Sequence, residues 1–385
     1  MKLCMVRHDT GDVRGGNMKI GILVSSIGNF GKQGFYNSQE VGLAKALNHF
    51  FEEVKIYKLV QKNQEKQEVK MEGCRCTSIL YLPAKNWGIN GIVDTKELDP
   101  GLNVLLYFSD TQISVPRVYR WAKKHSVRFL PYIGVTESHS TRACKKVLID
   151  LLFERNLRIY QKHLCLVKTP DVAERLFVRG VKNTVVSPVG LDPDLLNPKY
   201  ANASGSELRA KYGYTADEKI LLFIGRLTEE KQPLRLIDIF SRLAKKDASY
   251  RLLIVGSGEL EQEVLASIAR CHLEDKVTLV PGIPNAEIWQ LYRIADAFVN
   301  LNPQEIFGMA ILEAMYYECK VVAWNAPGPG VVIENGKSGW IVSGDEEVVE
   351  KIMDPFPVGK AAHERVISAF TWETTANKIR EAIGQ

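Results

Sequence analysis

The chain is predicted to be an α/β protein of two doubly wound, parallel-sheet domains, and two observations predict it. Short apolar, β-branched runs alternate with longer amphipathic segments, the pattern of βα units around a parallel sheet. These runs also fall into two series separated by a polar stretch, Asn197–Ser206. A length of 385 residues lets each domain bury its own core.

In chain order, Met1–Asn17 is polar and glycine-rich without periodicity, and is read as a non-native or disordered extension. Arg14-Gly15-Gly16-Asn17 reads as a translated purine-rich ribosome-binding site, so Met18 is the expected native start. N-terminal sequencing of the protein from its natural gene checks this, and Met1 or Lys2 in first place would overturn it.

Buried strands are then expected at 19–25, 53–58, 77–82, 103–108, 128–134, 164–168 and 184–187. A second series is expected at 219–225, 251–256, 276–280, 297–301, 320–324 and 340–342. Between them, Ser38–His49 and Pro233–Lys245 read as helices, Asn285 as the N-cap of another, and Thr371 as the cap of the last. This gives an N-terminal domain over 18–195, a C-terminal domain over 196–365 and a covering helix over 366–385, packed back towards the N-terminal domain.

Composition excludes several classes. With 45% hydrophobic and 25% charged residues the chain is not disordered, and a net charge of +5 without a concentrated basic face does not indicate nucleic acid. Seven cysteines form an odd set, and Cys74-Arg75-Cys76 lacks the C-x-x-C spacing of a zinc or redox site, so free thiols are expected. No run reaches the roughly 18 apolar residues of a membrane span, and no apolar core of a secretory signal is present. A reducing, cytoplasmic location is expected.

The first strand runs into Gly28-x-x-Gly31-x-x-Gly34, whose spacing is not the G-x-G-x-x-G of a dinucleotide turn, so a dehydrogenase is disfavoured. Gly31 and Gly34 would instead let backbone approach a phosphate or an acceptor. In the second half, Gly225-Arg226-Leu227-Thr228-Glu229-Glu230-Lys231 places two cations at a strand's carboxyl end, where open α/β sheets bind ligands. Arginine offers a fork and lysine a compact charge, a pair suited to a diphosphate.

Glu305 to Glu313 reads E-I-F-G-M-A-I-L-E, two carboxylates bracketing Phe307-Gly308-Met309 at the start of a helical run. At a helical rise the two acids stand roughly 12 Å apart, enough for one to address a sugar and the other a ribose. The amides of Gly308 and Met309 would face the phosphates between them.

Gly225-Arg226 with Lys231, then Ile254-Val255-Gly256-Ser257-Gly258, then Glu305 to Glu313, resemble in order and spacing the C-terminal domain of the retaining GT-B glycosyltransferases of family four. Ser187-Pro-Val-Gly-Leu-Asp192 looks like that family's interdomain element. The resemblance runs from about residue 185 to 342.

It implies that Gly225, Arg226 and Lys231 hold the donor diphosphate, Glu313 the ribose hydroxyls, and Glu305 with the amides of Phe307, Gly308, Met309 and Ala310 the donor sugar. His139 becomes the candidate catalytic-pocket histidine, with Glu137 an alternative. The sequence departs from the family at Ile306, Asn302 and Cys319, where glycine, serine and glycine are usual. The resemblance also implies a UDP-sugar donor by default and no cofactor or metal. Asp192-Pro193-Asp194 imitates a D-x-D metal motif but lies in the interdomain element, where Arg226 and Lys231 can do a metal's electrostatic work.

Thr141–Lys162 carries six basic against two acidic residues beside an apolar face of Val147, Leu148, Leu151 and Leu152, so peripheral contact with anionic lipid is an expectation beside that of a core-facing helix. The expected partners are thus a nucleotide sugar, a carbohydrate or lipid-linked acceptor and an anionic membrane surface, with no nucleic acid. Two other classes share the architecture: a sugar-nucleotide 2-epimerase and a non-catalytic nucleotide-sugar-binding subunit.

Overall fold

The computed structural model describes residues 18–27, 39–88, 90–137, 143–193, 204–284 and 287–384. Gly28, Gly31, Gly34, His139, Asp194, Asn285, the segment 1–17 and most of the polar stretch 197–206 lie outside the described residues.

The first sheet is built from β1 (Lys19–Val24), β2 (Glu53–Gln61), β3 (Gln67–Lys70), β4 (Thr77–Ala84), β7 (Val104–Phe108), β8 (Arg128–Ile133), β9 (Cys165–Val167) and β10 (Thr184–Val186), with β5 (Asn86–Trp87) and β6 (Asn90–Gly91) forming a separate small hairpin. Its order is β10-β9-β8-β7-β1-β2-β4-β3, all parallel except β3. Helices α1 (Gln39–Leu47), α2 (Val115–Lys124), α3 (Ala143–Tyr160) and α4 (Pro170–Val178) accompany it. The expected strands all form. β3 and the β5–β6 hairpin went unforeseen because β3 and β5 lie on the surface and are mostly polar, so they carry no periodic apolar signal.

The second sheet comprises β11 (Lys219–Ile224), β12 (Tyr250–Val255), β13 (Val277–Val280), β14 (Ala297–Asn300), β15 (Lys320–Trp324) and β16 (Trp340–Val342). Its order, β13-β12-β11-β14-β15-β16, is wholly parallel and reads 3-2-1-4-5-6 when numbered from β11. Around it run α5 (Gly205–Lys211), α6 (Pro233–Lys246), α7 (Glu261–Arg270), α8 (Trp289–Ile294), α9 (Met309–Tyr316), α10 (Pro327–Val332), α11 (Asp345–Met353) and α12 (Gly359–Ala369). Ile220–Ile224 of β11, Leu252–Val255 of β12 and Val321–Trp324 of β15 read as continuous apolar runs because both faces are covered.

The last helix, α13 (Trp372–Ala382), returns to the first domain. Thr371 caps it by accepting from the Thr374 amide, as expected. Trp372 lies so close to α1 that a Cβ on Gly42 would fall 2.2 Å from the indole nitrogen. Thr375 donates to the carbonyl of Pro188 at 2.6 Å, and the Arg128 guanidinium donates to the carbonyls of Ala382 and Ile383 at the helix's end. Trp372, Ala376 and Ile379 share one buried cluster with Leu43 and Leu47 of α1 and with Phe307 and Ile311 of the second domain.

Candidate functional site

The second sheet reverses its winding between β11 and β14, so the segments leaving their carboxyl ends frame a crevice. β11 opens into Gly225–Lys231 and β14 into the stretch leading to α9. The first of these loops crosses the loop after β12: the Gly225 amide donates to Val255 and that of Leu227 to Ser257, each at 3.0 Å. Gly256, at φ +148°, makes the crossing feasible, since a Cβ there would sit 1.9 Å from the Gly225 carbonyl oxygen.

Lys231 closes a single 3-10 turn, Glu229–Lys231, and its ammonium lies 2.7 Å from Glu305 Oε2 across the crevice. The buried amides of Asn300 and Asn302 donate to the same oxygen from 3.2 and 3.3 Å. Burial alone would raise the Glu305 carboxyl, but the Lys231 charge and the hydrogen bonds from Lys231, Asn300 and Asn302 outweigh it and hold the group below its ordinary value. Asn302, a departure from the family's serine, therefore fixes the carboxylate. Asn300 does the same and carried no signal in sequence beyond its place at a strand's end.

Glu305 is not on the helix. Gly308, at φ +88°, is the N-cap and α9 begins at Met309, so the helical spacing expected between Glu305 and Glu313 does not apply to the first four residues of that stretch. Only glycine suits this turn, because a Cβ would also meet Ile311 Cδ1 at 2.7 Å. The Phe307 ring is buried 6.1 Å from that of Phe370, which leaves its backbone rather than its side chain to face a ligand. Met309 and Ala310 form the first turn, whose amides have no acceptor within the helix.

The structure turns the other two charged candidates elsewhere. Arg226 extends to the surface and pairs with Glu230, four residues on. Glu313 is 4% exposed and accepts a hydrogen bond from the Tyr292 hydroxyl of α8 at 2.9 Å. Burial pushes its carboxyl up to about 7, against the opposing effect of that bond. Tyr292, stacked on Tyr317, and Thr228 were missed in sequence. The Thr228 hydroxyl is buried in the Gly225–Lys231 loop without a partner among the described residues, a lack that only packing reveals.

Of the first-domain candidates, Glu137 is exposed and pairs with Arg175 at 2.5 Å. Asp192 lies 3.5 Å from the Lys45 ammonium of α1. Among the described residues no three His, Cys, Asp or Glu side chains gather as a metal site.

Two Rossmann-like domains with a site at the second sheet's switch point define the GT-B fold. Sucrose-phosphate synthase from Thermosynechococcus elongatus is similar at a TM-score of 0.71 with 17% identity, covering 95% of this chain and 98% of that one. Anabaena HepE, solved with UDP and glucose, is similar at 0.69 with 16% identity, covering 96% and 100%.

Residues 205–356, within the C-terminal domain, match the family model of glycosyl transferases group 1. The D-inositol 3-phosphate glycosyltransferase of Mycolicibacterium smegmatis is 30% identical over 207 residues, 51% of this chain and 45% of that protein. The counterpart from Mycobacterium tuberculosis is 30% identical over 220 residues, 52% and 44%. The chain thus matches about half the length of these curated relatives.

Proposed function

We propose that the protein is a retaining glycosyltransferase, which moves a sugar from a nucleoside diphosphate sugar, UDP-sugar by default, to a hydroxyl of a saccharide or lipid-linked acceptor without a metal. The observation that carries this reading is the Lys231–Glu305 pair at the switch point, held by Asn300 and Asn302 beside the first turn of α9. A compact cation and free helix amides suit a diphosphate, while a carboxylate held ionised suits sugar hydroxyls. The relatives' names support transfer of a glycosyl group, and the UDP in the HepE structure supports the nucleotide.

In the reaction the bond from the anomeric carbon to the diphosphate oxygen breaks, and one to the acceptor oxygen forms on the same face. The acceptor's proton passes to the departing diphosphate. Lys231 and the amides of Gly308 to Ala310 stabilise the charge that grows there, and Arg226 would join them on leaving Glu230. Glu313 would receive the ribose once its bond to Tyr292 is shared with the ligand.

Thermal stabilisation by a panel of nucleotide sugars tests the site, because a ligand bound only by the folded protein raises the melting temperature. Lys231→Ala and Glu313→Ala should each abolish the shift produced by the best ligand. Equal shifts in both variants and the parent would refute the assignment.

We further propose peripheral contact with anionic lipid through α3. Of the two alternatives for the apolar residues of this helix, exposure favours the outward one: Val147 is 59% and Leu151 60% exposed, with Leu148 exposed beside them. The core side is carried by Phe153, Leu157 and Tyr160. Phe177 and Val178 at the end of α4 are exposed as well, and the next residue, Arg179, pairs with Glu154 of α3 and lies over the Phe153 ring.

A further inference from the structure

The first sheet has its own switch point, between β1 and β7. Lys168 follows β9, two strands away, yet its side chain leans back across the carboxyl ends of β8 and β7. Its ammonium lies 5.6 Å from the centre of the Tyr132 ring, 5.9 Å from that of Phe108, and 3.1 Å from Oε1 of Gln39, the first residue of α1. Room for the stem exists only because residue 134 is glycine: a Cβ there would fall 2.6 Å from Lys168 Cδ. Four elements therefore converge to place one cation at the mouth of the first sheet.

This cation has no carboxylate partner among the described residues. The nearest acids are engaged: Asp110 accepts the amides of Gly134 and Val135, and Glu40 pairs with Lys58 at 2.7 Å. Burial pushes the ammonium down, with Asp110 and Glu40 pulling the other way. A partly buried cation held by rings and one amide is costly to keep without an anion.

We propose that the Lys168 ammonium binds an oxyanion of the acceptor, a phosphate or carboxylate group, at the switch point of the first sheet. This rests on the glycosyltransferase reading above, and it narrows the acceptor to an anionic sugar, polyol or lipid headgroup. The charge orients the acceptor from the domain opposite the donor, so that binding of the two substrates is separable.

The test is thermal stabilisation of the full chain saturated with UDP, titrated with inorganic phosphate in one arm and glucuronate in the other. UDP occupies the donor phosphate site, so any added shift reports a second anion site; the arm that responds distinguishes phosphate from carboxylate. In Lys168→Met the apparent dissociation constant of the responding anion should rise about tenfold or more, as loss of a charge-assisted hydrogen bond requires. Lys168→Gln replaces it should the methionine variant misfold. No added shift in the parent, or an equal one in the variant, overturns the proposal. A variant that loses the UDP shift itself would also overturn it, by assigning Lys168 to the donor. Absence of any UDP shift in the parent would instead strike the glycosyltransferase reading.

Discussion

Glu313 shows how a residue's chemistry departs from what its type implies. In sequence it is one of two matched acids; in the fold it is buried beside the Tyr292 hydroxyl of α8 with no cation paired to it among the described residues, and its carboxyl rises to about 7. At acid pH, below about 4, the group is protonated in folded and unfolded chains alike and contributes nothing. As pH rises the unfolded chain ionises first, so stability is lost over the interval up to about 7, on the order of 3 kcal/mol in all. Glu313→Gln removes this dependence while its amide oxygen still accepts from Tyr292. Denaturant unfolding at pH 5 and pH 8 should therefore show the variant gaining on the parent at the higher pH, and a constant difference would sink the account. Glu305 is the opposite case, an acid kept ionised by Lys231 and two asparagines. One fold thus sets two acids eight residues apart to different tasks.

The elements that build the site are loops made rigid by close crossing rather than by regular structure. Gly256 lets the loops after β11 and β12 touch through backbone, which fixes Thr228 and Lys231 relative to the sheet. Gly308 turns the chain into α9 so that its first amides face the crevice. Helix α3 belongs to this level too, because its apolar stripe and its core stripe are different faces. Flotation with vesicles should show binding to anionic but not neutral membranes, and Leu151→Glu should weaken it, since a carboxylate opposes both apolar insertion and the lipid charge. Equal recovery with neutral and anionic vesicles would remove the lipid contact.

Across the molecule, α13 joins what the chain order separates. It ends the sequence, yet it packs on α1 of the first domain, with Trp372 seated against Gly42 and Arg128 capping its last carbonyls. Trp372→Ala should cost about 3–5 kcal/mol, the usual loss for a buried aromatic, and lower the melting temperature. An unchanged melting temperature would mean that α13 is not integral to the first domain. No helix among the described residues is long and apolar enough to cross a membrane.

The positions of the strands in both sheets were largely legible because buried parallel strands must be apolar on two faces, a demand written directly into short runs such as Ile220–Phe223; their order was not. Lys231 and Glu305, singled out in sequence as charged residues following strand ends, are brought together as a pair in the fold. What packing alone decided is which polar groups lose water and find partners: Asn300 and Asn302 against Glu305, Tyr292 against Glu313, Arg226 turned to Glu230, and Lys168 drawn over Gly134 to α1. Those outcomes depend on burial and on distances between residues far apart in the chain, and neither quantity is carried by the local pattern of residues.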